Sequence, residues 1–242
     1  MEYKEIDFEG EETLRAISEA SNFNEWMYNS IKPFCKGKIL EIGSGIGNIS
    51  SYFIDDKKDI TLSDIREQYR KFLKNSKKTM LAKCIDMDVV DDEFEIKHQA
   101  LLGTYDTVFA LNVLEHIKDD NRAIENMLKL LKENGRLVIL VPAYNFLYNS
   151  FDKELMHYRR YTKATLSKIM AKENTKVENT FYFNLFGIFG WLVVGSILQK
   201  KIIPSENMRL FNLLVPVFKL LDTLCFNKLG LSVICVAAKC RI

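Results

Sequence analysis

The chain is 242 residues long, 48% apolar and 27% charged, with a formal net charge of +2. This is ordinary globular composition, and four prolines and eleven glycines exclude a collagen-like or linker-dominated chain. A charge so close to balance excludes an obligate nucleic-acid coat.

The N-terminal residues Met1–Asp7 are acidic, hold no apolar stretch and do not read as a signal peptide. Residues 11–34 read as helical, with Trp26, Tyr28 and Ile31 supplying apolar contacts and Pro33 ending the segment. Lys38–Ile42 predicts a short buried strand that runs into a glycine cluster, and Asp59–Ser63 a second strand with alternating apolar positions. Glu67–Asn75 reads as a charged helix, Thr79–Ile85 as a third strand and Tyr105–Leu111 as a fourth. Ile124, Leu128 and Leu131 repeat at helical spacing within Asp119–Lys132. The Asn134-Gly135 turn leads to a fifth strand at Arg136–Val141, and Val177–Phe183 and Leu231–Ala238 read as two more. Strands alternating with helices predict βαβ units and a parallel sheet. Cys35, Cys84, Cys225, Cys235 and Cys240 are scattered, with no C-x-x-C pair, and predict reduced thiols in a cytoplasmic protein. His98, His116 and His157 are not spaced with them as a zinc finger requires, and no metal ligand set is read.

The strongest signal is the run from Ile39 to Ser50, ILEIGSGIGNIS. A buried strand enters glycines at 43, 45 and 47, where the backbone can turn sharply and a ligand can approach the main chain. The dinucleotide pattern G-x-G-x-x-G wants its third glycine at 48, which is Asn48. Glu41 beside the loop suits a cationic ligand better than a pyrophosphate. Asp64 lies 21 residues after Gly43, at a strand end where a carboxylate accepts from ribose hydroxyls in doubly wound folds. Asp86 follows the third strand with Met87 beside it, an acid and an apolar face that suit adenine.

On these residues the sequence resembles the class I S-adenosylmethionine-dependent methyltransferases, over residues 22–165. The resemblance implies an α/β, doubly wound, mostly parallel seven-stranded sheet, with an N-terminal helical segment (1–34) and a cofactor-binding core (35–183). An apolar helical insertion or lid (184–229) and a last strand (230–242) would complete a single domain. It implies S-adenosylmethionine as cofactor and S-adenosylhomocysteine as product. Glu41, Gly43, Ser44, Gly45 and Gly47 would form its loop, Asp64 and Ile65 the ribose side, Asp86 and Met87 the adenine side. Asn112, opening the run Asn112–Ile117, would line the methionine end. The segment Asn24–Trp26, and Asp152 followed by His157–Tyr161, resemble a bacterial and archaeal subgroup often associated with glycan, lipid or secondary-metabolite loci.

Methyl transfer from a sulfonium is an in-line displacement, so the protein mainly positions the acceptor, and an oxygen or nitrogen acceptor also needs a route for its proton. His116 is the leading candidate base; packing against the cofactor loop is its structural alternative. Glu115 and His157 are the other candidates. Arg159 and Arg160 could hold a substrate anion or pair with Asp152 or Glu154, and Tyr144 and Tyr161 complete the expected substrate contacts.

Phe181–Gln199 carries no charge over 19 positions, nearly the span of a bilayer core, yet it contains Asn184, Gly187, Gly190, Gly195 and Ser196. A second apolar stretch, Leu210–Phe226, is broken by Pro216. From Phe181 onward seven basic and two acidic side chains give a local charge of +5, with Lys200, Lys201, Arg209 and Lys219 on or between the apolar segments. The expected roles are a membrane-surface contact through residues 184–228, a lid over an apolar pocket, or a dimer interface. The expected partner is a small-molecule or lipid-linked acceptor methylated on oxygen or nitrogen. An NAD(P)-type oxidoreductase and a non-catalytic cofactor-binding module are the alternatives. Nucleic acid is not expected as a partner, because the first 180 residues are net acidic and hold no basic stripe with interleaved aromatics.

Overall fold

The computed structural model describes residues 8–193 and 205–241. Two helices open it, α1 (Phe8–Ser18) and α2 (Ser21–Ile31). The one helical segment expected here is two, because Ala20, with ψ 66°, leaves the helical region. The chain continues through β1 (Ile39–Ile42), α3 (Ser50–Asp55), β2 (Ile60–Asp64), α4 (Glu67–Asn75) and β3 (Lys83–Asp86). Next come α5 (Phe94–Lys97), β4 (Tyr105–Leu111), α6 (Asp120–Leu130) and β5 (Leu131–Pro142). Then follow α7 (Ser150–Glu154), α8 (Lys163–Met170), β6 (Thr175–Phe183), α9 (Gly187–Trp191), α10 (Ser205–Leu224) and β7 (Ser232–Lys239).

The strands form one seven-stranded sheet in the order β3-β2-β1-β4-β5-β7-β6. Pairing is parallel from β3 through β5, while β7 runs antiparallel to both β5 and β6. This is the doubly wound, mostly parallel architecture that the sequence predicts. β1 is buried at every position and pairs with β2 on one side and β4 on the other, so that Ile42 lies between Ser63 and Ala110. The strand order reverses there, which opens a crevice beyond the carboxyl ends of β1 and β4.

Helices cover both faces. On one face Met127 and Leu128 of α6 pack against β4 and β5, and Leu166 and Met170 of α8 against β6 and β7. On the other, Trp26 and Ile31 of α2, Phe53 of α3 and Leu73 of α4 pack against Phe109, Val138 and Ile234. Phe53 and Phe109 stack with ring centroids 5.2 Å apart.

Three elements differ from the sequence expectation. Thr79 is not in β3: its hydroxyl donates to the Leu73 carbonyl at 2.6 Å and its N–H to Ser76 at 3.0 Å, so it closes the end of α4. β5 begins earlier, because Leu131 already pairs with Tyr105 before the register shifts. The helix α10 runs through Pro216 rather than breaking there. Proline has no N–H for the carbonyl four residues back, and that carbonyl, on Asn212, instead accepts from Asn22 Nδ2 at 3.0 Å. Phe23 N–H donates to Asn212 Oδ1 at 3.1 Å and Arg209 pairs with Glu19 at 3.0 Å, so α10 is tied to the N-terminal helices.

In the insertion, buried Asp222 of α10 accepts the N–H groups of Asn184 and Leu185 at 2.7 and 2.9 Å and anchors the approach to α9. Gly195, Ser196, Lys200 and Lys201 lie outside the described residues. Among the described residues no helix is long and apolar enough to cross a membrane.

Phe109 is fully buried at the sheet centre. Phe109→Ala is expected to destabilise the fold by roughly 3–5 kcal/mol, measured as a shift in the urea midpoint with unchanged slope.

Candidate active site

A cavity of about 430 Å³ occupies the crevice. Its floor is the loop after β1 and the ends of β2 and β4; its roof is Leu14 of α1, Met27 of α2, Trp191 of α9 and Phe211 of α10. The N-terminal helices and the insertion, remote in sequence, thus close one space together.

Gly43, Ser44 and Gly45 line the floor. Gly43 has φ 71°, and a Cβ there would stand 2.5 Å from Val113 Cγ2, so only glycine leaves this part of the loop open. Gly47 lies behind the loop against Thr79 and Leu73 and shapes it without facing the cavity. Asp64 is 4% exposed and lines the cavity. Its Oδ2 accepts the Gly45 N–H and its Oδ1 the Arg66 N–H, both at 2.9 Å. Burial raises its pKa, against those two hydrogen bonds. Ile65 lies beside it on the cavity wall. Glu41 also reaches the wall; burial pushes its carboxyl up to about 7, and it accepts a short hydrogen bond from the Ser50 hydroxyl beneath the loop.

Asp86 departs from its expected place. Its side chain is exposed, pairs with Arg70 at 2.8 Å and stays out of this cavity. Arg70 also donates to the Asp64 and Ile65 carbonyls, which fixes the guanidinium on the outer side of β2 and draws Asp86 there. Met87 and then Asp88 face the cavity instead. Asp88 is missed in the sequence because Asp86 and Asp88 both flank Met87, and only the path of the chain separates them.

The loop after β4 supplies the polar end. Asn112 adopts the left-handed region at φ 53° and lines the cavity, followed by Val113, Glu115 and His116. Glu115, His116 and His157 bring a carboxylate oxygen and two ring nitrogens within 4.8 Å of one another. The Tyr158 N–H donates to the Glu115 carbonyl at 2.8 Å and holds the two chain segments together. Glu115 is fully buried, and among the described residues neither of its carboxylate oxygens has a hydrogen-bond partner. Burial raises its pKa to about 7, although His157 opposes the shift. Burial, and then the neighbouring His157, lower His116 to about 3, so its imidazole is neutral. The two histidine rings meet edge to face, 4.6 Å apart.

His157 Nδ1 is 2.8 Å from Asp152 Oδ1, which also accepts from Arg160 Nε at 2.8 Å. Burial would raise Asp152, but these hydrogen bonds outweigh it and keep the carboxyl below its ordinary range. Asp152 is itself placed by a capping box with Asn149 at the start of α7. Arg160 lines the cavity, yet its guanidinium is committed to Asp152, to the Ala143 carbonyl and to the face of Trp191, 4.6 Å away. Three expected substrate contacts lie elsewhere. Arg159 donates to Asp120 and to the Lys118 carbonyl, and the Tyr161 hydroxyl donates to the same Asp120 at 2.9 Å. Tyr144 stacks between Phe146 and Tyr182. All three are therefore structural here, each drawn from the cavity by a nearer partner.

Residues 40–137 match the family model described as a methyltransferase domain. The chain thus carries a methyltransferase domain, with S-adenosylmethionine as its cofactor, within the seven-stranded sheet. It aligns over 89% of its length with 94% of a SAM-dependent methyltransferase from Archaeoglobus fulgidus, with TM-score 0.55 and 18% identity. It aligns over 92% of its length with 54% of the CurJ carbon methyltransferase, with TM-score 0.56 and 13% identity. Among curated proteins it is 28% identical over 148 residues to Probable polyketide synthase 42 of Dictyostelium discoideum, a match that covers 52% of this chain and 6% of that one. The chain thus spans a small part of the curated relatives it matches.

The cavity fits the cofactor on its own geometry: an open glycine floor, a carboxylate at the end of β2 and apolar walls. Asp64→Ala is expected to weaken S-adenosylhomocysteine binding at least about tenfold, or about 1.4 kcal/mol, by calorimetric titration of the folded variant.

Proposed function

We propose that this enzyme methylates an oxygen or nitrogen of a small, largely apolar acceptor, seated between the roof of the cavity and the Glu115–His116–His157 cluster. The observation that carries this reading is the cluster itself: a fully buried carboxylate without a partner beside two imidazoles, at one end of an otherwise apolar space. Gly43–Gly45 would hold the cofactor's backbone-facing side, Asp64 its ribose and Met87 with Asp88 its adenine. Asn112 would lie at the methionine end. S-adenosylmethionine supplies an electrophilic methyl group: the sulfur–methyl bond breaks with its electron pair passing to sulfur, as the acceptor's lone pair forms the new bond. The cluster holds the acceptor heteroatom in line and promotes loss of its proton, while Trp191, Phe211 and Met27 exclude water. The likeness to polyketide synthases supports an acceptor of polyketide type, an apolar chain carrying oxygen functions.

A lipid surface is where such an acceptor would be met. Leu210, Leu213, Leu214, Val217, Leu220 and Leu224 form one exposed stripe along α10. The one acid between Asn207 and Gly230, Asp222, is buried, whereas Lys219 and Lys228 are exposed. That pattern suits an anionic interface. Replacing Leu213 and Leu220 by Ser is expected to reduce co-sedimentation with anionic phospholipid vesicles at least threefold and to leave S-adenosylhomocysteine affinity unchanged.

The function itself is tested by acceptor-dependent release of S-adenosylhomocysteine with long-chain hydroxy and keto compounds set against polar ones. Apolar acceptors are expected to turn over, and Glu115→Gln to lower kcat by at least about a hundredfold with cofactor affinity retained. Turnover of polar acceptors alone would remove the reading. A labelled methyl found on carbon would move it toward the chemistry named for the CurJ domain.

A further inference from the structure

We infer that Glu115, His116 and His157 form a binding site for one divalent transition-metal ion. The inference rests on the acceptor site proposed above and states how that site would act. The donor set is one carboxylate and two imidazoles, a combination that suits Zn²⁺, Co²⁺, Fe²⁺ and Mn²⁺. The three ligand atoms lie within 4.8 Å of one another, close enough for a common ion to draw them in.

Two further observations point to a cation. The Glu115 carboxylate is completely buried and, among the described residues, its two oxygens have no hydrogen-bond partner, an arrangement that is costly where water is excluded. His157 is also anchored on its far side. Its Nδ1 is held by Asp152, leaving Nε2 for a ligand, and Asp152 is held in turn by Arg160 and the Asn149 N–H. Outer partners of this kind, a carboxylate or a backbone carbonyl on the second ring nitrogen, are what orient metal-binding imidazoles. Buried Asp152 thereby acquires a purpose: it fixes the ring that would bind the ion.

The ion would leave open coordination positions toward the cavity. A hydroxyl or enolic oxygen of the acceptor would occupy one of them. Ligation would lower the pKa of that oxygen, so that its proton is released to bulk solvent as the acceptor enters; the lone pair left behind would attack the methyl carbon as the sulfur–methyl bond breaks with its electron pair passing to sulfur. No electron transfer is involved. This narrows the acceptor atom to oxygen.

The test is titration of the chelator-treated, full-length chain with Co²⁺, read by its visible d–d bands. The wild-type protein is expected to bind one equivalent. Glu115→Gln and His157→Ala are each expected to bind at least tenfold more weakly, with S-adenosylhomocysteine affinity retained as proof of folding. A protein that binds S-adenosylhomocysteine but takes up no Co²⁺ would overturn the inference, as would wild-type Co²⁺ affinity in both variants. Co²⁺ binding as expected, without turnover of any apolar acceptor, would leave the metal site standing and remove only the acceptor reading.

Discussion

Everything in the cofactor half depends on the carboxylate of Asp64. It ends β2 next to β1 and accepts one backbone N–H from the glycine loop and one from the start of α4. Those two bonds, with the Ser44 N–H donated to the Ser63 carbonyl at 2.8 Å and the Gly47 N–H to the Ser44 carbonyl at 2.9 Å, fix where the glycine loop turns. The position is set by the sheet: β1 must be central for its neighbours β2 and β4 to diverge, and the crevice exists because they do. Burial penalises the Asp64 charge while the two N–H donors support it. The carboxylate therefore organises the site, and its remaining lone pairs face the space that a ribose would fill.

The acceptor half is built on an opposite principle. Here a carboxyl is buried without a hydrogen bond. Among the described residues Glu115 has no hydrogen-bond partner, whereas Asp152, further from the cavity, accepts from Asn149, His157 and Arg160. The well-satisfied acid holds the histidine in place, and the unsatisfied one faces the cavity. A buried polar group left unmatched costs stability, and such a cost concentrated beside two imidazoles marks the place where a ligand completes the structure.

Much of this was legible in the sequence. The alternation of strands and helices, the glycine run and the spacing from Gly43 to Asp64 carry the fold and half the site, because they are local patterns with a single physical reading. Glu115, His116 and His157 are also legible as candidates, although nothing in the sequence shows that a segment about 40 residues later returns to Glu115. What escapes is decided by competition between partners. Asp86 loses its expected place because Arg70 lies closer, and Arg159 and Tyr161 turn away because both reach Asp120. The roof escapes as well: that Asn212 compensates for Pro216 by binding Asn22 depends on two segments almost 190 residues apart.

On the proposed reading one cavity holds the methyl donor on the glycine floor with its reactive end turned to the Glu115–His116–His157 cluster. A crystal structure of the chain with S-adenosylhomocysteine tests it most directly. The ribose hydroxyls are expected on Asp64, the adenine against Met87 and Asp88, and the sulfur facing Asn112 and the cluster. A cofactor lying against Arg70 and Asp86 outside the cavity, or one whose sulfur points away from Glu115, would contradict it.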